Sequence, residues 1–261
     1  MATYLKACEQ AARAGGEVLL SWIGRFEVRE KGPSDLVTQA DLASQEAIRG
    51  LLLVEYPRHA FVSEEGDRVL QAEAEYCWIV DPLDGTTNYV HQVPHYAVSV
   101  ALLHRGTPIV GAVFDPVHDE CFTCAKGEGA WLNGRAIRTS QVSRLADALV
   151  TASFAASVRA GSVEIDQFIA ALLHCQAVRR TGSAALNMCY LAAGRVDAFW
   201  ALSTHAWDVA AGALLVEEAG GVVTAPDGGP FDLAVPHPLA AANPALHEQF
   251  LKLLSTAPHL S

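Results

Sequence analysis

Apolar positions at the start of the chain recur with the period of a helix. Leu5, Cys8 and Ala12 are followed by Val18, Leu19 and Trp22, with Lys6, Glu9 and Arg13 among them and Gly24 closing the run. The pattern then shortens. Residues 26–30 read as a strand, and Thr38 with Asp41 three residues later reads as the reciprocal cap of a second helix, which Pro57 stops near Tyr56. Short apolar strands are predicted at 60–63 and 76–80, each ending in acidic residues. Residues 96–103 and 107–114 form a hairpin pattern about Arg105-Gly106, and 120–125 completes a meander. Further on, strands at 148–152, 177–180 and 195–202 alternate with helices at 162–174, 183–193 and 207–219. Gly220-Gly221 closes the last helix and a strand at 222–224 follows.

The change of pattern falls at 140–147. It predicts two parts: residues 1–143, with two helices, a mainly antiparallel sheet and the metal site, and residues 144–261, an α/β part that completes the active site.

Composition narrows the class. The 261 residues are 51% hydrophobic and 18% charged, a globular rather than a disordered balance. A chain of this length buries a core without disulfides or structural metal, so the six dispersed cysteines read as small buried hydrophobes. Lys and Arg number 18 against 29 Asp and Glu, a net charge of −11. That balance offers no basic face for nucleic acid, yet it allows a phosphorylated substrate if a bound cation supplies the positive charge. The N-terminal apolar positions are too interrupted by charge for a signal peptide, and no run is long enough to span a bilayer. The expectation is a cytoplasmic protein with neither membrane nor nucleic-acid partners.

The chemistry concentrates at Trp78-Ile79-Val80-Asp81-Pro82-Leu83-Asp84-Gly85-Thr86-Thr87-Asn88-Tyr89. An apolar strand delivers Asp81, Pro82 is expected to take the chain out of the ladder, and Asp84 returns three residues later. Two carboxylates in one turn repel unless a cation or proton relieves them. Oxygen-only ligation without a His or Cys pair favours Mg²⁺ over zinc, and the Leu83 carbonyl could add another oxygen. Gly85-Thr86-Thr87 then supplies close backbone approach, N–H groups and two hydroxyls beside that cation. Glu64 and Glu65 end the strand at 60–63, and Asp41 and Asp208 sit at helix starts, where each alone would be a cap. Cys121 and Cys124 lie near His118 but have no second pair and fall in a strand, so they are read as structural. His91, His95 and His205 flank the motifs, and Lys31 precedes a Gly-Pro turn; none is assigned a role.

Taken together, Asp81-Pro82-Leu83-Asp84-Gly85-Thr86-Thr87-Asn88 and Trp207-Asp208-Val209-Ala210-Ala211-Gly212 resemble the two signature segments of the inositol monophosphatase family. Asp35-Leu36-Val37-Thr38, Ser63-Glu64-Glu65, Gly182-Ser183-Ala184 and Glu218-Ala219-Gly220-Gly221 extend the resemblance along nearly the whole chain. It implies an α/β (α+β) fold, the layered αβαβα sandwich of the inositol monophosphatase and fructose bisphosphatase type, in a lithium-sensitive homodimer with two or three Mg²⁺ ions. Glu64, Asp81, the Leu83 carbonyl, Asp84 and Asp208 would hold metal. Glu64 and Thr86 would orient the attacking water, with Asp41 bonded to Thr86. Gly85 and Thr86 amides would grip the phosphate, with Asp84, Gly182, Ser183, Ala184 and Asp208 bordering the substrate.

The implied activity is hydrolysis of inositol monophosphate or a similar polyol phosphate by metal-activated water. Alternatives are the same chemistry on fructose 1,6-bisphosphate, histidinol phosphate or a 3′-phosphonucleotide, and a regulatory interaction protein on the same fold. One departure bears on substrate. Where family members acting on inositol phosphate typically carry a Glu, seven residues before Asp208, this chain has Ala201. A Ser common after the strand near Thr151 is replaced by Ala155.

Overall fold

A computed structural model describes residues 1–32, 35–66, 74–155, 158–159 and 161–257. The N-terminal helix α1 (Ala2–Trp22) is followed by the paired strands β1 (Val28–Gly32) and β2 (Asp35–Thr38) and by α2 (Gln39–Glu55). Thr38 and Asp41 form the expected capping box of α2.

Next come β3 (Ala60–Ser63), β4 (Tyr76–Asp84), the single helical turn α3 (Thr86–Val90) and β5 (Ala97–His104). Then follow β6 (Thr107–Asp115), β7 (Glu120–Ala125), β8 (Gly129–Leu132) and β9 (Arg135–Ala136). Strands β3 to β9 lie side by side in chain order as a seven-stranded sheet, parallel only between β3 and β4.

The second half contributes β10 (Leu149–Ser153), α4 (Val163–His174), β11 (Ala177–Arg179), α5 (Ala184–Ala192), β12 (Ala198–Ala201) and α6 (Ala206–Glu218). It ends with β13 (Val222–Thr224), β14 (Leu239–Ala241) and α7 (Pro244–Ser255). Its sheet runs β11-β10-β12-β14-β13, with β10 parallel to both neighbours and β14 antiparallel to both of its own.

Three apolar cores fix the layering. Ala11, Leu19, Ile48 and Leu52 of α1 and α2 pack on one face of the large sheet, against Trp78, Val98 and Val100. The opposite face of that sheet packs with α5 and α6 in a core that reaches Phe199 of the second sheet. On the far side, α4 and α7 cover Val150, Ala198 and Trp200. The result is the five-layer α/β sandwich that the resemblance implied. α6 is apolar nearly all round, with Trp207, Val209, Leu215 and Val216 all buried, as a helix between two sheets must be. Among the described residues no helix is long and apolar enough to cross a membrane.

One expectation is corrected. Pro82 does not end the β4 ladder; the strand continues to Asp84 through a bulge. Asp81 pairs with Ser99 and Asp84 with Ala97, so three residues on β4 span two on β5. A proline has no N–H to give a ladder, and a bulge is where a strand tolerates it.

Candidate active site

The bulge explains how two acidic side chains leave one strand near the same place. Asp81 and Asp84 are buried, 2% and 8% exposed. Asp81 Oδ1 accepts the Leu83 N–H at 3.0 Å, while Ser44 Oγ donates to the Pro82 carbonyl at 2.9 Å and ties the turn to α2. Asp84 reaches across to the start of α5, where its carboxylate accepts from Ser183 Oγ, from Ala184 N–H at 3.2 Å and from Ala185 N–H at 2.8 Å. Ser183 Oγ also accepts the Leu186 N–H at 3.1 Å and so caps the same helix.

The neighbouring carboxylates arrive from other elements. Glu64 follows β3, with its N–H donated to the Val80 carbonyl at 3.3 Å, which sets it beside the end of β4. Asp208 lies in the first turn of α6 and accepts the His205 N–H at 2.8 Å. Ser99 Oγ donates to the Trp207 carbonyl at 3.2 Å, so α6 begins against the bulge's partner strand. Asp41 is fully buried and accepts Thr38 N–H at 2.9 Å and Thr38 Oγ at 2.6 Å. The single hydroxyl proton of Thr86 is shared between the Leu83 carbonyl at 3.1 Å and Asp41 Oδ1 at 3.4 Å.

The electrostatics are those of crowded negative charge. Burial, then the charges of Glu64, Asp84 and Asp208, hold the Asp81 carboxyl well above the usual carboxylate range. Burial and then Asp208 push Asp84 up to about 7, against the hydrogen bonds from Ser183, Ala185 and Ala184. Among the described residues no Lys or Arg pairs with Asp81 or Asp84. Nor do three or more His, Cys, Asp or Glu side chains there form a ready-made metal cage. The donor set nevertheless fits a hard dication: it is all oxygen, buried, and mutually repelling in a way that only added positive charge or protons relieve.

Two glycines let the halves of the site meet. Gly85 has φ +95°, and a Cβ there would come within 3.1 Å of the His95 carbonyl oxygen and 3.3 Å of that of Gly182. Gly182 has φ +92°, and its Cβ would sit 2.8 Å from Asn88 Nδ2. That amide donates to the His95 carbonyl at 2.7 Å and the Thr181 carbonyl at 2.8 Å, stitching α3 to the loop before α5.

A cavity of about 370 Å³ opens over Asp84 and Asp208. Gly182 and Ala184 border it together with Thr87 and Asn88, whereas Gly85, Thr86, Ser183, Glu64, Asp81 and Asp41 lie outside its lining. Its remaining lining was not singled out from the sequence: Ser153 at the end of β10 and Phe154 after it, Arg180 after β11, and Ser203 and Thr204 after β12. These residues carry no local motif. Their common signal is position, at the ends of three neighbouring strands, where ligands of open α/β sheets bind. Ala201 is fully buried on β12 opposite Ser153, and Ala155 adjoins Phe154. Cys121 and Cys124 are buried in β7, and His205 stacks on Trp207 with centroids 4.6 Å apart. The Lys31 side chain lies outside the described residues.

Residues 1–259 match the profile of the inositol monophosphatase family. The chain belongs to that family. It is 41% identical over 234 residues to the Nus factor SuhB of Pseudomonas aeruginosa, covering 86% of each chain. It is 40% identical over 228 residues to an inositol-1-monophosphatase of Rhizobium meliloti, covering 86% of this chain and 83% of that one. Among solved structures, the extragenic suppressor protein suhB of Bartonella henselae superposes with a TM-score of 0.92 at 34% identity, over 98% of this chain and all of that one. Within an inositol monophosphatase family member, the bulge at Asp81–Asp84 and the start of α6 at Asp208 are the two signature segments brought together.

Proposed function

We propose that this protein hydrolyses small phosphate monoesters with Mg²⁺, inositol monophosphate or a similar polyol phosphate being the expected substrate. The observation that carries this reading is the burial of Asp81 and Asp84, with Glu64 and Asp208 adding to their repulsion, beside a cavity of substrate size. Glu64, Asp81, the Leu83 carbonyl, Asp84 and Asp208 would hold the ions. When bound, Mg²⁺ would supply an activated water and charge stabilisation for the phosphoryl oxygens and the leaving alcohol.

The chain's own residues position the other reactants. The Thr86 hydroxyl spends its proton on Leu83 and Asp41, which leaves its lone pairs to accept a hydrogen bond from the attacking water. Glu64 accepts the water's other proton and fixes its orientation. Asp41 is a positioning residue, held by Thr38 and acting through Thr86. The water oxygen forms a bond to phosphorus as the phosphorus–alkoxide bond breaks; the water's proton passes to Glu64, and the alkoxide takes a proton from solvent water and leaves as the alcohol. Gly85 and Thr86 open a helical turn whose first N–H groups have no intrahelical partners and are free for phosphate.

The test is phosphate release from inositol 1-phosphate with Mg²⁺ and with EDTA. Turnover that EDTA abolishes is expected; turnover indifferent to EDTA would refute the reading. The Nus factor name of a close relative supports a second reading, in which the same fold binds a protein or transcription-machinery partner. A chain with no metal-dependent turnover on any phosphomonoester would favour that one.

A further inference from the structure

The cavity is lined by charges of both signs. Asp84 and Asp208 are the acidic groups, and Arg180, immediately after β11, is the basic one. Among the described residues the Arg180 side chain makes no ion pair and no hydrogen bond, although two carboxylates line the same cavity. Its one recorded partner is the ring of Phe154, with the guanidinium 5.3 Å from the centroid. Stacking on an aromatic face leaves the fork of N–H donors free for a planar or tetrahedral anion.

The backbone beneath it is anchored. Thr181 gives its carbonyl to Asn88, and Ser183 donates to Asp84. Arg180 and Ser183 are three residues apart, so their Cα atoms are separated by at most about 11 Å. Arg180 and Asp84 line one cavity of about 370 Å³, a volume that holds a small molecule carrying both a phosphate and a second anion. Ser203, whose Oγ is buried without a hydrogen-bond partner, adds an unused polar group to the same lining.

We propose that Arg180 is a specificity-determining anion site, selecting phosphate esters whose alcohol portion carries a second anionic group, a phosphate or a carboxylate. This rests on the hydrolase reading above and names a substrate class for it. A cation with no protein anion paired to it in an otherwise acidic pocket does little for the fold and much for an anionic ligand.

The test compares kcat/KM for fructose 1,6-bisphosphate, 3-phosphoglycerate and glycerol 2-phosphate in the wild type, Arg180→Ala and Arg180→Lys, with Mg²⁺. Arg180→Ala should lower the ratio of either anionic ester to glycerol 2-phosphate by about ten- to a hundred-fold, chiefly through KM, the worth of one charge-assisted contact. Arg180→Lys should restore part of it, and raised salt should shrink the wild-type preference. Whichever ester loses more identifies the anion as phosphate or carboxylate. An equal loss on all three esters, or no loss, would overturn the proposal.

Calorimetric binding of the same three esters, measured alongside, separates this failure from failure of the hydrolase reading. If nothing is turned over, that reading falls. The anion site then stands only if the wild type binds the bisphosphate or the phosphocarboxylate more tightly than glycerol 2-phosphate and Arg180→Ala abolishes the difference; it is refuted if it does not.

Discussion

Asp84→Asn isolates the cost of charge in the metal-free site. In the folded protein the Asp84 carboxyl titrates at about 7, against 3.8 for an ordinary aspartate. A carboxyl whose pKa is raised on folding favours the folded state at low pH. That advantage is full below the unfolded pKa and is lost as pH rises through the folded one. Three units correspond to about 4 kcal/mol, a ceiling that Asp84 shares with Asp81 because the two lose protons as a pair. Asparagine removes the charge but replaces one acceptor with a donor facing Ser183, Ala184 or Ala185, which costs about 1–3 kcal/mol.

His59, His95 and His247 pull the other way. Burial lowers each pKa, so their contribution is present above about 6.5 and lost as pH falls. The informative quantity is therefore the difference between variant and wild type. In urea melts with EDTA, Asp84→Asn should be the less stable protein at pH 5 and should gain on the wild type by a few kcal/mol by pH 8. Saturating Mg²⁺ should reverse the gain at pH 8, since it stabilises the wild type by about 2.7 kcal/mol at a hundred times Kd and the variant far less. A variant-minus-wild-type difference that stays constant from pH 5 to 8 in EDTA would refute the assignment of repulsion to Asp84.

Other perturbations separate chemistry from architecture. Thr86→Val keeps the shape but removes the hydroxyl shared by Leu83 and Asp41; kcat should fall by about 10²-fold or more while calorimetric Mg²⁺ affinity stays within a few-fold. Gly182→Ala forces a Cβ against Asn88 in a left-handed backbone position, and chemical denaturation should show a loss of about 2 kcal/mol or more. Phe250→Ala removes a fully buried ring set edge-on to Trp200 at 5.4 Å; it should cost about 3–5 kcal/mol in denaturation and leave KM unchanged, because α7 lies on the far side of the second sheet from α5 and α6.

Much of the fold was legible where a local rule and the tertiary packing agreed. The predicted strands 60–63, 120–125 and 222–224 match β3, β7 and β13 end to end. The Thr38–Asp41 capping box, needing only four residues, was readable as well. What escaped depended on partners distant in the chain. β14 is three residues between β12 and β13, too short to show a period. β8 and β9 are short edge strands defined by pairing. α7 follows a Pro- and Ala-rich stretch, and its start is marked by Asn243 and Pro244. At the site, the acidic residues announced themselves through their motifs, but the bulge did not: Pro82 reads locally as a strand end, and only pairing with β5 carries the ladder on to Asp84. Arg180 was silent for the same reason, because its meaning comes from sharing a cavity with Asp84, nearly a hundred residues earlier.

The central claim is that the acidic cluster exists to hold magnesium. Titration calorimetry of the metal-free protein with MgCl₂ at pH 7 tests it directly. The account predicts saturable binding of two or three ions, with protons released because Asp84, pushed up to about 7, is partly protonated beforehand, and loss of at least one site in Asp81→Asn. Absence of binding, or binding identical in Asp81→Asn and without proton release, would contradict it.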